Sequence, residues 1–94
     1  MVYILYSEAL DRFYTGESES ENVDLKLKQH NDGFFKDSFT SITDDWVLFY
    51  KIECDSRSQA KKIESHINKM KSSTYVRNIV KYPEIIERLK LKYK

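Results

Sequence analysis

The hydrophobic pattern divides the chain into short strands followed by longer helical stretches. Val2-Tyr3-Ile4-Leu5-Tyr6 is an apolar, β-prone run and predicts a strand. Ser7 to Asp11 predicts a turn, and Arg12-Phe13-Tyr14-Thr15 the returning arm of a hairpin, punctuated by Gly16. Glu17-Ser18-Glu19-Ser20-Glu21 has no apolar residue to bury and predicts a loop. Asn22 can cap a helix, because its side-chain oxygen can accept an orphan backbone N–H. That helix runs from Val23 to about Asn31, and Asp32-Gly33 ends it, with Gly33 free to adopt positive φ. Phe34 and Phe35 dock a loop onto the core, and the polar segment to Asp45 has no clear period. Trp46-Val47-Leu48-Phe49-Tyr50-Lys51-Ile52 is the strongest strand.

The second half reads as helical. Ser56-Arg57-Ser58-Gln59 matches a capping box, with Ser56 as the cap and Gln59 at the third position. The helix that follows carries Ala60, Ile63, Ile67 and Met70 at helical spacing. A break at Ser72-Ser73 leads to a short apolar segment with Tyr75, Val76, Ile79 and Val80. Pro83 suits the first position of a last helix, where its missing N–H costs nothing, and Ile85, Ile86, Leu89 and Tyr93 form the apolar stripe. The order β-β-α-β-α-α predicts an α+β fold, with three mostly antiparallel strands covered by helices in one domain, 1–94.

Composition narrows the class. Apolar residues are 40% of the 94-residue chain and charged residues 33%, against roughly 45–50% and about 25% in ordinary domains. The core is therefore modest, and seven Tyr and five Phe supply much of it. Two Gly and one Pro argue against a turn-rich all-β chain. No stretch approaches the ~18 apolar residues of a membrane span, so no membrane partner is expected. Nothing resembles an export leader. Cys54 stands alone, without a partner for a disulfide or a thiolate metal cage, which suits a reducing cytoplasm.

Charge is segregated. Residues 1–56 hold 5 basic and 12 acidic groups, and residues 57–94 hold 11 basic and 3 acidic groups. A basic half can be a footprint for nucleic acid, or simply a pair of solvated helices facing an acidic half. The chain has no Gly-rich phosphate loop, no Ser/His/Asp or Cys/His arrangement at a known local spacing, and no zinc-ligand spacing among His30, His66 and Cys54.

Glu64 borders the apolar stripe of its helix and is the only acid between Arg57 and Glu84, amid Lys61, Lys62, Lys69 and Lys71. Such a carboxylate can hold one Mg²⁺, which takes one or two carboxylates and keeps several waters. It can equally pair with Lys61 or Lys71 along the helix. Tyr3 and Tyr14 lie on adjacent strands. They can be packing residues with a polar tip, or a base if a metal or cation stabilises a phenolate, given an ordinary pKa of about 10. Lys26 and His30 are four apart and share one helix face, either exposed or presented to a phosphate.

Taken in order, these residues resemble a small stand-alone GIY-YIG nuclease domain, similar to the short bacterial proteins related to the nuclease module of the excision-repair excinuclease C subunit. Val2-Tyr3-Ile4-Leu5-Tyr6-Ser7 matches the first strand, with Tyr3 at the first motif Tyr. Tyr14-Thr15-Gly16 matches the second motif with Thr at its centre. Leu27-Lys28-Gln29-His30-Asn31 is similar to the family's Leu-Lys-Glu-His-Asn helix end. Ser56 to Ala60, then Glu64, Ile67 and Lys71-Ser72, resembles the helix bearing the metal-binding Glu, and Tyr75 to Tyr93 the subgroup's tail.

The resemblance implies a central three-stranded antiparallel sheet flanked by helices. It implies hydrolysis of a nucleic-acid phosphodiester, in DNA with RNA also open, using one Mg²⁺ or Mn²⁺ held by Glu64. Tyr3 or Tyr14 would help deprotonate water, His30 would hydrogen-bond in the site, and Lys26, Lys61, Lys69, Lys71 and Arg77 would contact phosphate. Lys26 stands where the family has Arg, supplying charge without the bidentate fork; losing such a donor can cost about 10²–10³ in rate. Met1 stands in place of a Gly. Glu17, Glu19 and Glu21 lengthen the loop after Gly16, where as solvated acids they repel DNA in preference to adding metal affinity. The alternative function is a weakened module of the same fold that only binds nucleic acid, or that docks its last helix on a partner protein or a second copy.

Overall fold

The computed structural model describes residues 1–19, 23–33 and 39–94. The expected Asn22 cap, the docking of Phe34 and Phe35, and Glu21 lie outside the described residues. Three strands, β1 (Val2–Ser7), β2 (Arg12–Glu17) and β3 (Val47–Ile52), form one sheet in the order β2-β1-β3. Both pairings are antiparallel. Helix α1 (Val23–Asn31) and a 3₁₀ turn (Phe39–Ile42) lie between β2 and β3. Helices α2 (Arg57–Met70), α3 (Ser73–Lys81) and α4 (Glu84–Lys92) complete the chain.

β1 is the central strand, and its apolar run is continuous because both of its faces are covered. Val2 and Ile4 point to one face, where Ile52, Ala60, Ile63, Ile67, Val76, Ile79, Ile86 and Leu89 make the larger core. Tyr3 and Leu5 point to the other, packed with Val23 and Trp46. This is the alternation that a period of two imposes on a strand. The expected α+β sheet flanked by helices is what forms.

Several details differ from the sequence expectations. Ser72-Ser73 opens a further helix rather than an irregular segment, so the order is β-β-α-β-α-α-α. Ser72 caps α3 by accepting the Tyr75 N–H, just as Ser56 caps α2 by accepting that of Gln59. β2 continues through Gly16 to Glu17, so Glu17 is strand rather than loop. Trp46 precedes β3 instead of opening it, because Asn31 holds its backbone N–H and C=O at 2.8 and 2.9 Å. Met70 and Val80 stay exposed, while Ile86 and Leu89 turn into the core with half-buried Ile85 and Tyr93 packed beside them. The stripe on α4 thus closes the chain's own core. Gly33 takes φ +72 at the end of α1, as its place in the sequence requires. Among the described residues no helix is long and apolar enough to cross a membrane.

The β1–β2 turn is anchored by one carboxylate. Asp45 accepts hydrogen bonds from Ser7 Oγ, Thr43 Oγ1 and the Ala9 N–H, and these donors hold its carboxyl below the usual range. A carboxylate held below its unfolded value stabilises the fold above that value and loses the effect as pH falls through the lowered one. Asp45→Asn is expected to melt below the wild type at pH 7, with the gap narrowing in strong acid. Thermal melts at the two pH values check this; an equal gap at both would show that the charge contributes nothing.

Candidate active site

Strand alternation and helix spacing aim six side chains at one place. Tyr14 and Gly16 of β2 stand opposite Leu5 and Tyr3 of β1, so Tyr3, Tyr14 and Gly16 share the face that α1 covers. Lys26 and His30 lie one turn apart on α1. α2 packs against β2 and brings Glu64 to the same edge. Tyr3, Tyr14, Gly16, Glu17, Lys26, His30 and Glu64 line one open cavity of about 310 Å³. The five residues singled out in the sequence as catalytic, Tyr3, Tyr14, Lys26, His30 and Glu64, therefore converge.

The interior of the site is a ring cluster tied by hydrogen bonds. Tyr3 and His30 are joined through Oη and Nε2 at 3.0 Å, and His30 Nδ1 meets Thr40 Oγ1 at 2.6 Å. The Tyr14 ring packs 4.9 Å from that of His30 and 6.4 Å from that of Tyr3. His30 is buried, and burial with the Lys26 charge lowers its pKa, so the imidazole is neutral at pH 7. A neutral imidazole donates from one nitrogen and accepts at the other. The Tyr3–His30–Thr40 chain therefore closes in either sense: Tyr3 donates when Nδ1 carries the proton, and accepts when Nε2 carries it.

Charge in the cavity is dominated by acids. Burial, and then the neighbouring Glu17, push the Glu64 carboxyl upward, against a smaller opposing effect of Lys61. Burial is also the main cause that raises the Tyr3 phenol, followed by Tyr14, Glu64 and Glu17. Among the described residues Glu64 forms no ion pair with Lys61 or Lys71; its polar neighbour is Asn68, whose Nδ2 donates at 3.4 Å. The intrahelical ion pair is thus not what Glu64 makes.

The model of the GIY-YIG catalytic domain family matches residues 1–77. The chain belongs to the GIY-YIG family. The match spans every element that lines the cavity and ends within α3. No curated protein and no solved structure matches the chain. Membership indicates nuclease-like activity in general and, with it, nucleic-acid binding.

The basic residues expected at phosphate do not all gather at the GIY-YIG cavity. Lys61 is exposed on α2, close enough to act on Glu64. Lys69 and Lys71 are exposed at the end of α2, and Lys71 lines a larger cavity of about 460 Å³ with Phe13 and Thr15. Arg77 lies over the Tyr6 and Phe13 rings at 5.7 and 5.1 Å. Phe13 and Thr15 alternate with Tyr14 and Gly16, so Lys71 and Arg77 lie beside the face of β2 that Tyr14 and Gly16 do not share, away from the residues that line the GIY-YIG cavity.

The structure also gives parts to residues that the sequence did not name for the site. Thr40 is fully buried, orients His30, and accepts the Trp46 indole N–H at its carbonyl. It lies in a stretch without period, so no pattern marks it. Asn31 fixes Trp46 beneath Tyr14. Gly16 is required because a Cβ there would stand 2.5 Å from Tyr3 Cζ. Arg57 bridges Glu17 and Glu19 at 3.0 and 3.3 Å.

Proposed function

We propose that the chain is a metal-dependent endonuclease that hydrolyses phosphodiester bonds of DNA, in a repair or processing setting in the cytoplasm. What carries this reading is the convergence of two phenols, a neutral imidazole, a lysine and a carboxylate in one open cavity. The similarity to the excinuclease C module supports the repair setting, and the unpaired Cys54 thiol supports the compartment.

The residues present fit a hard divalent ion. Glu64 offers carboxylate oxygens in a cavity where a second acid disfavours its charge, a situation that a cation reverses. Among the described residues no three His, Cys, Asp or Glu side chains gather as in a cage. A site of few carboxylates suits Mg²⁺ or Mn²⁺, which keep several waters. Glu64 would hold the ion, whose chemistry is to polarise the phosphate and lower the pKa of bound water.

The chain's own groups divide the remaining work. Tyr3 is 3% exposed and holds its proton tightly, so it serves as a hydrogen-bonding group fixed by His30. Tyr14 is less buried and lines the open cavity, which makes its Oη the group placed to accept a proton from the attacking water. Lys26 faces the same cavity and supplies the positive charge that a phenolate needs, and it offsets charge developing on the phosphate. Exposed Lys61 extends the positive edge toward the nucleic acid.

The test is a cleavage assay on branched, single-stranded and duplex DNA, with single-stranded RNA alongside, in Mn²⁺ and in EDTA. Nicking of DNA that requires Mn²⁺ is expected. No cleavage of any substrate overturns the proposal, and cleavage of RNA alone reassigns the polymer.

A further inference from the structure

The mechanism above leaves one buried acid unused. Glu17, at the end of β2, has a side chain only 5% exposed. Its Oε1 accepts from Arg57 Nε at 3.0 Å. Its Oε2 is buried and has no hydrogen-bond partner among the described residues. A buried carboxylate oxygen left without a donor is disfavoured, and native structures seldom keep one without a reason. Glu17 also lines the cavity that Glu64 lines. Two acids facing one cavity repel each other, and here the effect raises Glu64.

The solvated-loop reading of Glu17 fails on two counts. The residue is strand, paired with Val2 across β1, and its side chain is buried. Glu19, by contrast, is exposed and meets Arg57 at the surface. Arg57 satisfies Oε1 of Glu17, and among the described residues no donor meets the buried Oε2.

We propose that Glu17 is a second metal ligand: its unpartnered Oε2 and the Glu64 carboxylate together bind one hydrated ion of the Mg²⁺ class, while Arg57 positions Glu17 through Oε1. This rests on the reading of Glu64 as the residue that holds the metal. Two carboxylates match the charge of a divalent ion, and Mg²⁺ accepts one or two of them while retaining waters. The ion provides the partner that Oε2 lacks and removes the repulsion between the acids. Arg57 is a positioning residue, since it acts only through Glu17.

The experiment measures Mn²⁺ binding to the full chain by calorimetry, and counts the waters on bound Mn²⁺ by water-proton relaxation. Wild type, Glu17→Gln and Glu64→Gln are compared, each first shown to melt cooperatively in EDTA. Glu17→Asp, one methylene shorter, replaces Glu17→Gln if the latter does not fold. Glu17→Gln is expected to raise the Mn²⁺ Kd by about tenfold or more, since even groups behind the ligands cost about 10–100-fold. It is also expected to leave bound Mn²⁺ with one additional water. Wild-type affinity in Glu17→Gln overturns the proposal, as does a weaker affinity with an unchanged water count, which would be a loss of charge and not of a ligand. If Glu64→Gln still weakens binding, that failure belongs to Glu17 alone. If Glu64→Gln also binds as wild type does, or if wild type binds no Mn²⁺, the reading of Glu64 falls with it.

Discussion

Glu64→Gln is expected to lower nicking in Mn²⁺ by about 10³-fold. The amide has the size of the carboxylate and keeps an oxygen that can accept from Asn68, so packing on α2 is preserved. What it lacks is the negative charge that, on the proposed function, would hold a divalent ion. The fold does not need that charge. Glu64 lies outside the buried stripe of Ala60, Ile63 and Ile67 and plays no part in capping α2. Burial and Glu17 already disfavour the ionised form, so neutralising it relieves repulsion. The melting temperature of Glu64→Gln in EDTA is therefore expected to equal or exceed that of wild type. Single-turnover nicking rates beside melts in EDTA make the check. Cleavage at the wild-type rate would remove Glu64 from the chemistry, and a lower melting temperature would show a structural part for it.

Gly16→Ala is expected to destabilise the sheet and the site together. Gly16 faces Tyr3 across the β1–β2 pair. An added Cβ would stand 2.5 and 2.6 Å from Tyr3 Cζ and Oη, closer than atoms pack. The Tyr3 ring has nowhere to go: it is buried, bonded to His30, and flanked by the Tyr14 ring. Overpacking of this kind costs about 1–3 kcal/mol, or a fall of about 5–20 °C in melting temperature for a domain of this size. Displacing Tyr3 also breaks its bond to His30, so the site loses its alignment with the fold. Calorimetry of the variant tests the first effect, and the imidazole NMR signals of His30 test the second. A wild-type melting temperature would mean that the ring yields freely. Gly33 presents the other use of glycine, since its φ of +72 and not any neighbour sets its requirement.

The part of the site that was legible in the sequence is the part encoded by short spacing. Lys26 and His30 sit four apart and so share a face wherever the helix forms. Tyr14 and Gly16 sit two apart on a strand and so share a face too. Glu64 stood out as a lone acid at the edge of an apolar stripe. The Ser56 cap and the Gly33 stop likewise act within a few residues of themselves, and both form as expected. The start of α3 is hidden in the sequence because Ser72-Ser73 reads as a break, whereas Ser72 is a cap.

Other features depend on contacts between distant residues, and no local pattern carries those. Whether Glu17 is loop or strand turned on how far β2 stays paired with β1, which extends to Val2. Charge alone groups Lys71 and Arg77 with Lys26, yet strand alternation puts them beside Phe13 and Thr15 and not at Tyr14 and Gly16. Thr40 became part of the site only because its hydroxyl meets His30 and its carbonyl meets Trp46.

By itself the sequence determined the α+β class, the three strands, the Ser56 cap, the Gly33 stop and, through the resemblance of its ordered motifs to the family, the five residues that meet in the cavity. These follow from periodicity, capping and motif order, which act over a few residues. Only the tertiary structure decided that the Glu17 side chain is buried with one oxygen unpartnered among the described residues, that Gly16 is held glycine by the Tyr3 ring, and that Lys71 and Arg77 lie away from the cavity. Those outcomes depend on register and on the packing of elements far apart in the chain. Burial and opposed charges exist only once such elements are brought together.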